Sequence, residues 1–257
     1  MAKMTRKFID AGFLHYVLLY PRITRADNEQ ARQAKKKMTT AAQQMLNNKT
    51  STMKLELDLA ANYRPGDLVL TLTYDDEHLP FRRSQCISAL KYFRQKLAEE
   101  YRRHGATMVM HWNTEHRHGE ARWHHHAVMN AADVDYQRIL ELWGRGGIKF
   151  ERLKIGTHPD PKCPGKTKDY SYGGLAAYMT KERPDKPSQR CWSYTLTAKH
   201  PTVETETVDV DTTLNPPKGA QLLERSSDRN RFGRYERIKF QDTNQPRRTT
   251  AKRRKKK

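Results

Sequence analysis

Apolar and polar residues alternate along several short stretches in the middle of the chain, and this period of two predicts β-strands. The clearest cases are residues 67–74, 107–114 and 121–130. The apolar positions that we expect on one face of a sheet are Leu68, Leu70, Leu72, Met108, Met110, Trp112, Trp123, Ala127 and Met129. Further strands are predicted at residues 148–153 and at 191–197, the latter as an edge strand.

Between these strands the pattern becomes helical. Residues 84–103 carry an apolar stripe formed by Ile87, Leu90, Tyr92, Phe93 and Leu97. Residues 133–143 and 171–182 are also predicted to be helices, and the second is ended by a proline. The order β-α-β-β-α-β-α-β predicts an α+β fold in which helices pack on the apolar face of one antiparallel sheet. Residues 156–169, rich in Pro, Gly and Lys, are predicted to form a loop.

The pattern divides the chain into four parts. Residues 61–200 are predicted to form the core domain. Residues 1–60 are expected to be a basic helical extension, because residues 24–61 are rich in good helix formers. Residues 201–243 are poorly defined, with a polar, helix-like stretch at 221–230. Residues 244–257 are expected to be a disordered basic tail.

The charge of the chain points to a polyanionic partner. Lys and Arg number 49 against 29 Asp and Glu, which gives a formal net charge of +20. Nucleic acid fits this balance, since phosphate neutralisation supplies affinity that is independent of sequence. In the tail, Lys252, Arg253, Arg254 and Lys255 are expected to be a nonspecific DNA-binding handle.

No segment approaches the run of about 20 apolar residues needed to span a bilayer, so no membrane partner is expected. The three cysteines lack a C-x-x-C spacing. This pattern is typical of a reducing compartment and predicts a cytoplasmic protein.

The candidate chemistry centres on three adjacent histidines. His124 and His126 lie on one face of their predicted strand, about 7 Å apart, while His125 points to the other face. If the flanking strands form a hairpin, Glu115 joins the first face and completes a set of two imidazoles and one carboxylate, an arrangement typical of a catalytic metal site. The alternative is a solvent-facing polar surface. His111, His116, His118 and Glu120 are less well placed and are expected to be mostly surface residues.

Tyr178 and Lys181 are three residues apart on a predicted helix and therefore share a face. A tyrosine is a poor nucleophile at neutral pH unless a cation or base assists it. Lys181 could give that help, or neutralise a phosphate under attack. The alternative is an ordinary core tyrosine beside a surface lysine.

Taken together, three segments resemble the motifs of HUH-superfamily rolling-circle replication initiators. They are residues 70–75 (LTLTYD), Glu115 with the histidines at 124–126, and residues 178–181 (YMTK). More narrowly, the chain resembles the replication endonucleases of bacterial phages, prophages and small plasmids. The resemblance covers about residues 60–200. Each motif alone is weakly specific, whereas three in this order are strongly specific.

The resemblance implies a ferredoxin- or RRM-like sheet and a nicking and joining reaction on single-stranded DNA at a replication origin. His124, His126 and Glu115 would hold a divalent ion, Mg²⁺ or Mn²⁺. Tyr178 would be the nucleophile with Lys181 assisting, and Thr71 and Thr73 would support the site. Attack would give a 5′-phosphotyrosine and a free 3′-hydroxyl primer. A host helicase and polymerase in the bacterial cytoplasm are the expected protein partners.

The chain departs from the motif pattern at two points. His125 replaces a residue that is usually a large hydrophobe, which leaves a different ligand assignment open. No second tyrosine is an obvious nucleophile, although Tyr170 and Tyr172 lie upstream. The register predicts that His124→Ala or His126→Ala abolishes nicking, whereas His125→Leu is tolerated.

Three alternative functions stay open at this point. A non-enzymatic single-stranded nucleic-acid-binding protein would stack bases on exposed aromatic side chains. A zinc hydrolase would use the same ligands but would give Tyr178 and the basic surface no role. A relaxase or transposase would share the chemistry of a replication initiator.

Overall fold

The computed structural model describes residues 3–22, 33, 40–116, 122–159, 167–169, 171–182, 190–230 and 233–242. Within these ranges the chain forms four helices, two five-stranded antiparallel sheets and a two-stranded hairpin, so the predicted α+β class is confirmed. The helices are α1 (Thr40–Asn62), α2 (Arg83–Arg103), α3 (Tyr136–Trp143) and α4 (Gly173–Met179). None of the helices in the described ranges combines the length and apolar character that crossing a bilayer requires.

The strands occur in three groups along the chain. The first is β1 (Lys3–Asp10) and β2 (Leu14–Pro21). The second is β3 (Leu68–Thr73), β4 (Met110–Glu115), β5 (His124–Met129), β6 (Ile148–Arg152), β7 (Thr157–Pro159), β8 (Thr167–Asp169) and β9 (Ser193–Tyr194). The third is β10 (Thr202–Asp209), β11 (Gln221–Asn230) and β12 (Gly233–Gln241). The hairpin of β7 and β8 lies where the sequence predicted only a loop.

The central sheet has the strand order β6-β3-β5-β4-β9, and its apolar face packs against α2 and α3. Leu70, Met110 and Ala127 of the sheet are fully buried together with Phe93 of α2, and Trp143 of α3 is nearly so. The predicted apolar strand positions are therefore confirmed as the core. Strand β9 is at the edge, as predicted.

The stripe predicted for α2 is correct only in part. Leu90, Phe93 and Leu97 are buried, but Ile87 is 52% exposed and Tyr92 is 51% exposed. The buried face is completed instead by residues such as Cys86 and Tyr101. These positions recur at three- and four-residue intervals, so α2 is rotated slightly from the predicted orientation.

Helices also cover the second face of the central sheet, which corrects the prediction that they pack on one face alone. Leu55 and Leu59 of α1 and Met179 of α4 form a second core with Val128 of β5. The physical reason is that this face is only partly polar: it carries Val128 beside the polar side chains, and the neighbouring Val69 and Val109 pack against the same core. Its apolar part needs a cover that the strand pattern alone did not reveal.

Both ends of the chain contribute to a second sheet, in the order β10-β1-β2-β12-β11. The prediction of a helical extension over residues 1–60 is therefore wrong for residues 3–21, although α1 matches the later part of the predicted helix at 24–61. Residues 221–230, predicted to be helix-like, form strand β11. Strand β11 is mostly exposed and polar, so backbone pairing with β12 holds it in the sheet rather than burial.

The predicted boundaries at residues 60, 200 and 243 stay predictions. Lys252, Arg253, Arg254 and Lys255, with the rest of the predicted tail at 244–257, lie outside the described residues.

A buried carboxylate connects the second sheet to the helix that carries Tyr178. Glu56 of α1 is 4% exposed and accepts hydrogen bonds from Tyr16 Oη at 2.8 Å and from Lys239 Nζ at 2.5 Å. Ser171, just before α4, also donates to Glu56. Gly173 begins α4 so close to this group that an added Cβ would lie 2.9 Å from Glu56 Oε1. One side chain thus fixes α1, β2, β12 and the start of α4.

We expect Glu56→Ala to lower the free energy of unfolding by about 3–5 kcal/mol, because it leaves the Lys239 ammonium group buried without its counter-ion. The matched control is Glu206→Ala, which breaks an ion pair with Arg6 whose side chains are about half exposed. That pair should contribute less than about 1 kcal/mol. Denaturant unfolding of both variants measures the difference, and equal losses would contradict the role given to Glu56.

Candidate active site

Strand pairing brings the candidate ligands together. In the β4–β5 ladder Glu115 lies opposite His124, and Asn113 lies opposite His126. In the β3–β5 ladder Thr71 lies opposite His126. Because side chains alternate along a strand, these residues share one face of the sheet and His125 occupies the other. The strand register predicted from the sequence is confirmed.

Glu115, His124 and His126 form a group that could hold a metal ion, with one potential ligand atom from each lying within 4.8 Å of the other two. Glu115 Oε2 is 3.5 Å from His124 Nε2 and 3.6 Å from His126 Nε2. Glu115 is 1% exposed, and its Oε2 and the Nε2 of His126 have no hydrogen-bond partner among the described residues. Two buried, unpartnered atoms that face each other fit a divalent cation with further coordination positions open.

The amide of Asn113 connects this group to the helix that carries the tyrosine. Asn113 Nδ2 donates to Glu115 Oε1 at 2.6 Å and to the carbonyl oxygen of Met179 at 2.8 Å. The sequence pattern placed Asn113 on the correct face but gave it no role. Only the approach of α4 shows that its two amide protons join the carboxylate to the end of the helix.

Hydrogen bonds also orient the two imidazoles. His124 Nδ1 lies 3.0 Å from the carbonyl oxygen of Arg122, to which it can only donate, and this leaves its Nε2 lone pair toward Glu115. Thr71 Oγ1 lies 3.2 Å from His126 Nδ1, in a position that supports the ring as predicted. Thr73 does not contact this group: it is exposed, and its hydroxyl donates to the carbonyl oxygen of Gly147.

The group is strongly coupled electrostatically. Burial raises the pKa of Glu115, but the imidazoles of His124 and His126 and the amide of Asn113 outweigh burial and hold that pKa well below its ordinary value. Glu115 in turn raises the pKa of His124 above its ordinary value. A carboxylate that stays ionised in a nearly buried position supplies the negative charge that a cation site requires.

Tyr178 and Lys181 lie beside the same group. The Tyr178 ring centroid is 4.8 Å from that of His126, and the tyrosine is 45% exposed. Lys181 Nζ lies 3.6 Å from the centre of the Tyr178 ring and 3.3 Å from Glu115 Oε2. Burial lowers the pKa of Lys181, but Tyr178 and Glu115 more than offset it, so the net pKa is raised. Lys181 is therefore a fixed cation between the phenol and the carboxylate.

His125 is a buried structural residue. It is fully buried, with Nε2 2.8 Å from Tyr74 Oη and Nδ1 2.9 Å from Thr114 Oγ1. Burial lowers its pKa to about 3, so the ring is neutral at neutral pH. Its nitrogens are occupied on the opposite face of the sheet from Glu115, which disfavours the alternative assignment of His125 as a ligand.

The other histidines differ from the prediction in one case. His111 was expected at the surface but is fully buried, and its Nδ1 lies 2.8 Å from Tyr63 Oη. The cover provided by α1 is the cause, since Tyr63 directly follows that helix. His116 is exposed as predicted, whereas His118 and Glu120 lie outside the described residues.

Tyr172 is excluded as a second nucleophile by its burial. It is 1% exposed, its hydroxyl donates to the carbonyl oxygen of Tyr63 at 3.5 Å, and burial raises its pKa. Tyr170 lies outside the described residues.

Comparison with known proteins gives one match. Residues 67–183 match the model of a family described as replication-associated protein ORF2. This range is just under half of the chain and runs from β3 to the end of α4, so it contains every residue of the candidate site. The match indicates a role in DNA replication. No curated protein and no solved structure matches the chain significantly.

Replacing a predicted ligand should remove metal binding without unfolding the protein. We expect His126→Ala to weaken Mn²⁺ binding at least tenfold, because it removes one of three ligands and opens the site to water. The Mn²⁺ affinity can be measured by electron paramagnetic resonance on the metal-free protein. Thr73→Ala, two strands' width from Glu115 and outside the group, is the control that should bind like the wild type; equal affinity in all three proteins would refute the site.

His125→Leu should cost stability, which modifies the expectation that it is simply tolerated. The change leaves the hydroxyls of Tyr74 and Thr114 without a partner, at about 1–3 kcal/mol. We still expect Mn²⁺ affinity within about threefold of the wild type. A loss of Mn²⁺ binding as large as that of His126→Ala, in folded protein, would contradict the assignment of the two faces.

The same variant tests the pKa of His125. With a folded-state pKa of about 3 and an unfolded value of about 6.5, the unfolded chain binds one more proton between these values. This contribution to stability is fully present above pH about 6.5 and is lost as the pH falls toward about 3. From pH about 5.5 to 4, wild-type stability should fall about 1.4 kcal/mol per pH unit more steeply than that of His125→Leu. Parallel curves would show that His125 is not held neutral.

Proposed function

We propose that this protein is a replication endonuclease that nicks and rejoins single-stranded DNA at a replication origin. The observation that supports it most directly is the contact between three kinds of group: a candidate cation site, a half-exposed tyrosine and a lysine that touches both. The match to a replication-associated family and the net charge of +20 support the same proposal. Its partners would be the origin strand and a host helicase and polymerase in the bacterial cytoplasm.

In the proposed reaction the Tyr178 oxygen attacks the scissile phosphorus. A bond forms between that oxygen and phosphorus, and the bond from phosphorus to the 3′-oxygen breaks. The products are a 5′-phosphotyrosine and a strand that ends in a 3′-hydroxyl. Glu115, His124 and His126 would hold a divalent ion, Mg²⁺ or Mn²⁺, which supplies Lewis-acid polarisation of the phosphate. Because one phosphodiester replaces another, the 3′-hydroxyl can later attack the phosphotyrosine and restore the strand.

Lys181 would act as a cation and not as a base in this reaction, because its raised pKa keeps it protonated at neutral pH. Its ammonium group lies against the Tyr178 ring and favours the phenolate form by direct charge interaction. The phenol is 45% exposed, so its proton has access to solvent. Glu115 fixes Lys181 from the other side.

A relaxase or a transposase would share this chemistry, and the replication-family match favours the initiator. A non-enzymatic binding protein would give no reason for two unpartnered ligand atoms beneath a tyrosine.

The proposal predicts a covalent adduct of defined polarity. The protein should be incubated with Mn²⁺ and a random-sequence single-stranded oligonucleotide library, labelled in separate reactions at the 5′ or the 3′ end. With wild-type protein the 3′ label should migrate with the protein on a denaturing gel. The 5′ label should appear in shorter fragments that a polymerase can extend.

Tyr178→Phe is the matched control, since it retains the ring beside His126 and Lys181 and removes only the nucleophilic oxygen. It should form less than about 1% of the wild-type adduct. The proposal fails if the wild type forms no adduct, if Tyr178→Phe forms as much as the wild type, or if the 5′ label is the one retained by the protein.

A further inference from the structure

A basic groove runs beside the candidate active site, between α2 and the edge of the central sheet formed by β4 and β9. Its volume is about 300 Å³. Four of its twelve lining residues are cationic and none is acidic. The cations are Arg83, Lys91 and Arg94 from α2, and Arg190, which precedes β9.

The charge of the groove is not neutralised by the protein. None of these four side chains forms an ion pair with a carboxylate in the described part of the chain. The Nε of Arg94 is buried and lacks a hydrogen-bond partner among the same residues. Cations of the second sheet differ: Lys3 pairs with Asp209, for example, and Arg225 with Glu236. Unpaired cations that converge on one groove favour an anionic ligand from outside.

Aromatic side chains accompany these cations. Trp112 and Trp192 both line the groove and are partly buried. The guanidinium carbon of Arg94 lies 3.8 Å from the centre of the Trp112 ring. Indole faces and guanidinium groups beside unpaired cations are the combination that binds the bases and phosphates of single-stranded nucleic acid without a sequence preference.

The groove reaches the candidate active site through β4. Asn113 lines it and, through its amide, donates to Glu115 Oε1 at 2.6 Å. Thr114 also lines it, and its carbonyl oxygen accepts a hydrogen bond from Arg83 at 2.9 Å. A strand in the groove would therefore pass within one or two residues of the predicted metal ligands.

We propose that this groove binds the segment of single-stranded DNA that flanks the phosphate attacked by Tyr178. The inference rests on the proposed function for the identity of the strand, but the binding itself requires neither metal nor the tyrosine. Phosphates contact the four cations, and bases stack on the exposed indole surfaces. The groove thus aligns the strand before the reaction.

Two exposed residues, Lys91 and Arg190, allow a test that does not disturb the core. The groove variant is Lys91→Glu with Arg190→Glu. The control variant, Lys218→Glu with Arg229→Glu, changes the charge equally at exposed positions outside the groove. Fluorescence anisotropy with labelled oligo(dT) of about 20 nucleotides, in EDTA and over a series of NaCl concentrations, gives the affinity and its salt dependence.

The groove variant should bind oligo(dT) at least tenfold more weakly than the wild type, and the control variant less than threefold more weakly. The slope of log K against log salt should decrease in magnitude by about 1.4 in the groove variant, since each lost phosphate contact of a single strand contributes about 0.7. Unchanged melting temperatures should accompany both results.

Equal weakening in the two variants would assign binding to the general charge and overturn the proposal. So would wild-type affinity in the groove variant, or binding of oligo(U) tenfold tighter than oligo(dT), which would make RNA the occupant. Covalent adduct formation is scored separately: at saturating DNA the groove variant should still react at Tyr178. A wild type that forms no adduct would refute the endonuclease function and leave the binding result standing.

Discussion

The antiparallel register of β4 and β5 determines where every candidate chemical group lies. Glu115 opposes His124 and Asn113 opposes His126, so the potential ligands and the amide that fixes the carboxylate share one face. A shift of one residue in either strand would move its side chains to the opposite face. The neutral His125, enclosed between Tyr74 and Thr114, resists such a shift because it would have to leave a fully matched buried position.

The short helix α4 is held at both ends, which gives Tyr178 a defined position although the helix has only seven residues. Its start is held by Glu56, which accepts from Ser171 and leaves no room for a side chain at Gly173. Its end is held by Asn113, which donates to the carbonyl oxygen of Met179. Because Glu56 also binds Tyr16 and Lys239, the second sheet supports the tyrosine. Sequence distance hides this dependence.

Much of the central sheet and of the candidate site follows from local periodicity. Alternation placed Leu70, His124 and His126 on the correct faces, because the face of a residue depends only on its own strand. The second sheet did not follow, since β1 pairs with β10 across about 200 residues and such pairing leaves no local pattern. The roles of Asn113 and the buried state of His111 were missed for the same reason: both depend on helices that arrive from elsewhere in the chain.

The central claim is that Tyr178, alone among the tyrosines near the site, forms the covalent bond to DNA. Trypsin should release residues 169–181 as one peptide, which carries Tyr170, Tyr172 and Tyr178. After nuclease treatment of the wild-type adduct, fragmentation mass spectrometry of this peptide can assign the remaining nucleotide to one residue. The account predicts a nucleotide on Tyr178 only. A nucleotide on Tyr170 or Tyr172, or on a different peptide, would contradict it.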